Sequence, residues 1–434
     1  MNKNVLEIFE MKKFKNIFLL LALGCFTGTN ALGQEAEESI ETIVAEADSL
    51  VLPEGMQIQE IDSLLRDWSV RNFLTFDENC ETTGENPTFE PEVYISRLQR
   101  LPNVIEMPYN DVVRRYIDQY SGRLRRTVSV MLGASNFYNP IFEEALESYQ
   151  IPLELKYLPI IESALNPSAT SRVGAAGLWQ FMITTGKQYG LEVNSLVDER
   201  RDPIKSSYAA AHYLKDLYDI FGDWTLVIAS YNCGPGNVNK AIKRAGGVMD
   251  YWKIYPYLPR ETQGYVPAFI AANYIMNYYC DHNICPVNTT LPMGTDTLSL
   301  TKDVRMEQIE AVCGVRLDEL KALNPQYRTM LVPGQMRPCT LRMQAQHISA
   351  FLEAGDSVYV KPVAGMAVNR KVVEMPVVDK KASVSAGGRK TVTVKKGDTL
   401  GAIASRNRTT VRKLQQLNGL RGTNIRAGQK LKVK

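Results

Sequence analysis

Through the middle of the chain, apolar residues return every third or fourth position, the period of a helix with one buried face. In "NDVVRRYIDQY", Val113, Tyr116, Ile117 and Tyr120 share that face. Leu124, Val128, Met131 and Leu132 repeat the pattern, and Asn139-Pro140 predicts the opening of a third helix through "NPIFEEALESY". In "RRDPIKSSYAAAHYLKDLYDIF", Asp202 stands as N-cap and Pro203 as first helical residue of a long amphipathic helix ending near Phe221. "WTLVIASYN" has no polar side and reads as a buried helix or strand; "GPG" breaks it before a helix near Val238 to Arg244. These elements predict a mainly α domain over residues 89–285.

The tail has a different rhythm. "TVTVKKGDTL" alternates as a strand does, Asp398 or Thr399 can cap a helix from near Leu400, and "TVRKLQQLNGL" reads as a second helix ended by Gly419. "GQKLKVK" returns as a strand, so 391–434 predicts a small βααβ unit. An earlier segment, 296–345, matches it at one constant offset of 94: Ile309 with Ile403, Leu320 with Leu414, Leu323-Asn324 with Leu417-Asn418, Gly334-Gln335 with Gly428-Gln429. One offset held across four positions argues for two copies of one unit. The first copy lacks "GDT" and is degenerate. Residues 361–390, rich in Val, Lys, Ser and Gly and without a sustained period, read as a linker.

At the N-terminus, basic "MKKFKN" precedes apolar "IFLLLALGCF", the make-up of an export signal over 1–33. Two processing routes stay open: cleavage after Ala31-Leu32-Gly33, or lipidation at Cys25 within "LALGC", which would anchor the chain to the outer membrane. Residues 34–88 read as an acidic tether. The net charge of +3 conceals nine Asp/Glu and no Lys/Arg from Gln34 to Leu65, against thirteen Lys/Arg and Asp398 alone from Arg389 onward. With 45% apolar and 22% charged residues, a sizeable core can form. Seven scattered cysteines leave disulfide pairing unread, and His212, His282 and His347 sit in no metal-ligand spacing, so neither metal nor cofactor is expected. Export sets nucleic acid aside as a partner of the basic tail.

One carboxylate stands out. In "ELKYLPIIESALNPSA", Leu155, Leu158, Ile161 and Leu165 mark a buried helix that Pro159 opens or kinks and Asn166-Pro167 ends, yet it carries Glu162 followed by Ser163. A carboxylate in such a run needs a partner or a task. Three further stretches follow in order: "GLWQF" (177–181), "SYN" (230–232) and "ETQGYV" (261–266). Here the sequence resembles the family 1 lytic transglycosylases over about 89–280, with Trp179 where many relatives have Met and Ser230 where many have Ala. The resemblance implies a lysozyme-like fold and Glu162 as the catalytic acid. The implied reaction cleaves the bond between N-acetylmuramic acid and N-acetylglucosamine in peptidoglycan without water, using the C6 hydroxyl of the muramic residue as nucleophile. One carboxylate then suffices where ordinary glycosidases need two. Gly177 would let the backbone approach a sugar, Gln180 would bond N-acetyl or hydroxyl groups, and Ser163, Tyr231, Asn232 and Tyr265 would bond Glu162 or the sugar. Glu261 reads as structural.

The tail resembles a LysM domain, which implies binding of N-acetylglucosamine-containing glycans between Gly397, Asp398, Thr399, Leu400 and the loop at Asn424 and Ile425. Two rival readings stay in view. A muramidase cleaving the same bond with water would need a second carboxylate, with Asp198, Glu199 and Asp202 nearest in sequence; a non-catalytic wall-binding scaffold would need none.

Overall fold

The computed structural model describes residues 73–76, 80, 85–292, 294–359 and, in the tail, 391–394, 398–407, 409–420, 422, 425, 426 and 428–433. The signal at 1–33 with Cys25, most of the tether 34–88, the linker 361–390, Gly397 and Asn424 lie outside the described residues.

Eleven helices build the main helical domain among the described residues: α1 (Pro91–Arg100), α2 (Asp111–Ser121), α3 (Arg125–Ser148), α4 (Leu158–Ser163), α5 (Ile183–Gln188), α6 (Pro203–Phe221), α7 (Trp224–Cys233), α8 (Pro235–Arg244), α9 (Tyr251–Ile254), α10 (Arg260–Gln263) and α11 (Tyr265–Tyr278). At the centre lies α11, buried on every side from Tyr265 to Met276, with α2, α4 and α7 packed around it. In α2, the four residues expected on one face are all buried, and the Asn110 side chain accepts the Val113 amide at 3.0 Å. Asp202 caps α6, taking the Ile204 and Lys205 amides at 3.0 Å each; "WTLVIASYN" resolves to helix, capped by Asp223.

Two sequence expectations are corrected. Asn139-Pro140 opens no third helix, because α3 runs unbroken from Arg125 to Ser148 with Pro140 inside it. Proline removes one amide donor, but Asn136, whose carbonyl loses its partner, and Pro140 itself are both exposed, so water takes that bond. The tether does not reach residue 88. Strand β1 (Leu74–Phe76) pairs antiparallel with β2 (Val287–Thr289), and a Cys80–Cys285 disulfide joins the same two segments. At Gly133 of α3 a Cβ would stand 2.3 Å from the Val287 carbonyl, so the helix gives up a side chain to let β2 lie against it.

The first repeat unit extends past residue 345. Strands β3 (Thr295–Leu300) and β4 (Asp303–Arg305), helices α12 (Met306–Cys313) and α13 (Leu317–Leu323), strands β5 (Leu331–Pro333) and β6 (Cys339–Gln344) and helix α14 (Ala345–Ala354) share one core, which takes in Phe351 and Val358. Two antiparallel ladders form, β3 with β6 and β4 with β5. That core also contains Leu196 and Val197 of the helical domain. The junction is bonded through backbone, Asp198 N–H to the Gln326 carbonyl and Arg328 N–H to the Leu196 carbonyl, each 2.9 Å. Arg337 adds ion pairs to Glu192 and Glu199.

The tail forms the expected order β7 (Thr391–Thr393), α15 (Leu400–Arg406), α16 (Val411–Asn418), β8 (Lys430–Lys432), with the two strands antiparallel. Each repeat uses one asparagine as a clamp. Asn324 donates to the Leu320 and Arg342 carbonyls and accepts the Arg342 amide, all at 2.8 Å. Asn418 makes the same three bonds with Leu414 and Lys432, at 2.8, 2.9 and 2.7 Å. Clamp and strand partner stand 18 positions apart in the first unit and 14 in the second. The first copy therefore carries extra residues between its second helix and its last strand.

Candidate active site

Glu162 sits one residue from the C-terminus of α4, a helix shorter than its apolar pattern suggests. A 3-10 turn (Leu153–Tyr157) leads into it, and it stops at Ser163 because Ala164 and Leu165 both take left-handed backbone, φ +50° and +61°. Gln180, at φ +46°, is a third such residue in this region. Left-handed backbone costs an L-residue about 1–2 kcal/mol, so three instances beside one carboxylate mark a geometry that the surrounding packing imposes.

A cleft of about 400 Å³ contains Glu162, with Gln180, Tyr213, Tyr231, Asn232 and Glu261 among its walls. Tyr265, at the first position of α11 and 1% exposed, donates its hydroxyl to Glu162 Oε1. Burial, then the charge and hydrogen bond of Glu162, push the Tyr265 phenol well above its ordinary range. Burial followed by the Glu162 charge does the same to Tyr231, whose hydroxyl donates to the Trp179 carbonyl at 2.8 Å. Both phenols therefore stay protonated as donors. Asn232 is exposed at the rim, its Oδ1 held by the Thr262 hydroxyl at 2.8 Å.

Ser163 and Gly177 have other tasks than those expected. Ser163 is fully buried with its hydroxyl between the Pro159 and Leu178 carbonyls, 3.1 and 2.9 Å away, so it ties α4 to the 177–181 loop and faces neither Glu162 nor solvent. Gly177, at φ +87°, is buried with the Arg200 carbonyl 1.7 Å from where a Cβ would stand. The close approach it permits is to backbone, not sugar. Gln180 turns its amide nitrogen back to the Gly177 carbonyl at 2.8 Å while remaining in the cleft wall. Trp179 fills the core, edge-on to Phe142 and bonded through Nε1 to the Ser207 hydroxyl at 2.9 Å.

The carboxylates named for a hydrolytic rival are engaged elsewhere. Asp198 is paired bidentately with Arg200, Glu199 with Lys205 and Arg337, and Asp202 caps α6. None lines the cleft; Glu261, exposed in the first turn of α10, does. Sequence reasoning passed over Tyr213, which lies 5.4 Å from the Tyr231 ring. No motif marks it. In the tail, Thr399 caps α15 by accepting the Ala402 amide at 3.2 Å, Asp398 pairs with Arg406, and Leu400 is buried. Ile425 packs partly buried against the same core.

Three family models match: a transglycosylase SLT domain over 139–252, the LysM-like domain of lytic transglycosylase MltD over 294–360, and a LysM domain over 392–434. Membrane-bound lytic murein transglycosylase D of Escherichia coli strain K12 is 31% identical over 331 residues, 75% of this chain and 70% of that one. The soluble lytic murein transglycosylase of the same strain is 31% identical over 33% of this chain and 23% of its own length. The crystal structure of the 70 kDa soluble lytic transglycosylase from Escherichia coli aligns at 29% identity and a TM-score of 0.29, covering 34% of this chain and 25% of that one. This chain thus spans only about a quarter of the soluble enzymes. A carboxylate held by a buried tyrosine, the mainly α domain around it and the two LysM-type units agree with the family matches, and the chain belongs to the family of membrane-bound lytic murein transglycosylase D.

Proposed function

We propose that this chain is a peptidoglycan lytic transglycosylase, cleaving the β-1,4 bond from N-acetylmuramic acid to N-acetylglucosamine and closing a 1,6-anhydro ring on the muramic residue. The observation that carries the reading is the Tyr265 hydroxyl donated to Glu162 inside a sugar-sized cleft.

The proton makes one round trip. Protonated Glu162 gives its hydrogen to the glycosidic oxygen leaving with N-acetylglucosamine, and the N-acetyl group of the muramic residue stabilises the positive anomeric carbon. The carboxylate left behind accepts the Tyr265 hydrogen bond, which favours the anion, and then takes the C6 hydroxyl proton as that oxygen attacks. Glu162 ends as it began. The tyrosine commits one Glu162 oxygen to a donor and so fixes the orientation of the carboxyl group in the cleft. Gln180, Tyr231 and Asn232 line the sugar path, while Ser163 and Gly177 set the backbone under it.

The LysM unit would hold glycan through Gly397, Asp398, Thr399, Leu400, Asn424 and Ile425, keeping the cleft near substrate without new contacts inside it. The basic signal-like start supports export to the cell envelope, with Cys25 lipidation or cleavage before Gln34 as the two routes; among the described residues no helix is long and apolar enough to cross a membrane.

Mass spectrometry of digested sacculi tests the chemistry. Wild-type chain releases products one water lighter than hydrolysis would, and Glu162→Gln, isosteric but unable to supply the proton, stops their release by at least about a thousandfold. Full-mass products would assign hydrolysis; unchanged lysis by the variant would remove Glu162 from the reaction.

A further inference from the structure

Where the first repeat unit meets the catalytic domain, a second cleft of about 300 Å³ opens between Ser168 and Arg201 on one side and Lys321, Asn324, Tyr327 and Arg328 on the other. Its charge is unbalanced. Buried Asp198 is gripped through both oxygens by Arg200, at 2.9 and 2.8 Å, and the same carboxylate has Arg201 at 3.7 Å and Arg328 at 3.8 Å. Three guanidinium groups on one carboxylate leave two positive charges over, and Lys321 adds another at the cleft wall. Glu199, next in sequence, is already taken by Lys205 and Arg337. Burial lowers Arg201 from its ordinary range, Asp198 opposes, and the charges of Arg328 and Arg200 lower it again. Like charges gathered in one partly exposed cleft repel, and an anion in the cleft relieves that repulsion.

The cleft is a neighbour of the catalytic one. Arg201 donates to the Ser168 carbonyl at 2.9 Å and to the Thr170 hydroxyl at 2.7 Å. Thr170 and Ala176 pair to form a hairpin, and Val173 and Ala175 within it line the Glu162 cleft. One hairpin thus separates the two. In a strand with intact stems the lactyl carboxyl of each muramic residue is tied up as an amide, so the negative groups are the free carboxylates of the peptide stems. We infer that the basic cleft is a subsite for a stem-peptide carboxylate, completed only because the first repeat unit is docked against the catalytic domain. The inference rests on the transglycosylase reading above. It gives the degenerate repeat a task in substrate choice, with Lys321 and Arg328 as its donors.

The test uses the full chain on two substrates, glycan strands with intact stems and the same strands with the stem carboxylates capped as neutral amides, with anhydro ends counted. Wild type is expected to show a KM about tenfold lower on intact strands, a charge-assisted contact's worth of affinity. Lys321→Ala with Arg328→Ala should raise KM on intact strands to the capped value, leaving kcat on both and KM on capped strands unchanged. Lys321→Gln alone, the variant to use if the double substitution unfolds, should raise KM about threefold on intact strands only. Equal wild-type KM on the two substrates, or variants that impair both alike, would overturn the subsite. Anhydro ends absent from both with wild-type chain would overturn the underlying reaction, and the subsite with it.

Discussion

Replacing Gly177 by alanine separates a structural from a sugar-contacting role for this residue. The backbone there is left-handed, which costs an alanine about 1–2 kcal/mol. The added Cβ would lie 1.7 Å from the Arg200 carbonyl oxygen, so one of two backbones must move by more than an ångström. Neither is free to move. Arg200 is held by Asp198 and by bonds to the Gly174 and Phe181 carbonyls, 2.7 and 2.9 Å, and Asp198 is bonded to the repeat unit. Overpacking against a fixed neighbour costs about 1–3 kcal/mol more. The combined penalty, about 2–5 kcal/mol, takes a large share of a typical domain's stability and corresponds to a fall in Tm of roughly 5–20 °C for a domain of this size. Thermal unfolding followed by circular dichroism measures it, with release of anhydro products below the transition as the companion assay. A variant melting within about 2 °C of wild type but inactive would refute the packing argument and return Gly177 to the sugar.

Tyr265→Phe keeps the buried ring and removes the hydroxyl on Glu162; a hydrogen bond to a charged group is worth about 1.5–3 kcal/mol, so kcat should fall roughly 10- to 150-fold with Tm little changed, and a loss under about twofold would show the contact idle. Cys80→Ser opens a closure spanning 205 residues, for which chain entropy sets an upper bound of about 5 kcal/mol; denaturant unfolding should shift the same way on adding reductant to wild type, and superimposable curves would show the bridge contributes nothing. His282 is fully buried beside Tyr274, and burial followed by the charge of Arg97 lowers its pKa to about 4. The unfolded chain protonates it near 6.5 and the folded chain resists until about 4, so its contribution is complete above pH 6.5 and lost as pH falls through that window. Between pH 7 and pH 5 wild type should lose about 2 kcal/mol more stability than His282→Gln; parallel pH curves would contradict this.

Helices with two faces were legible in the sequence, and those with one character were not. The stripes of α2 and α6 and the cap at Asp202 declare themselves, because period and terminus agree. Helix α11 presents twelve consecutive buried residues, so no polar side marks its turn, although it is the centre of the domain. Glu162 was readable as a carboxylate out of place in an apolar run, and the order of the motifs gave it chemistry. The motif residues around it were not equally readable: what Gly177 touches is fixed by Arg200, and what Ser163 bonds is fixed by Leu178, neither of them encoded at the motif. Likewise Leu196 and Val197 look like local core but belong to a unit beginning about a hundred residues later. Its repeat was visible through the constant offset; its docking was not.

The Cys80–Cys285 bond brings the chain's way in and way out of the catalytic helices to one covalent point, beside the pairing of β1 with β2. A pull arriving from the N-terminal side passes at that point straight to the segment leading into the repeat units, so the covalent path bypasses the residues between. A chain pulled at both ends would load this one bond first, since the covalent path runs around the helices rather than through them.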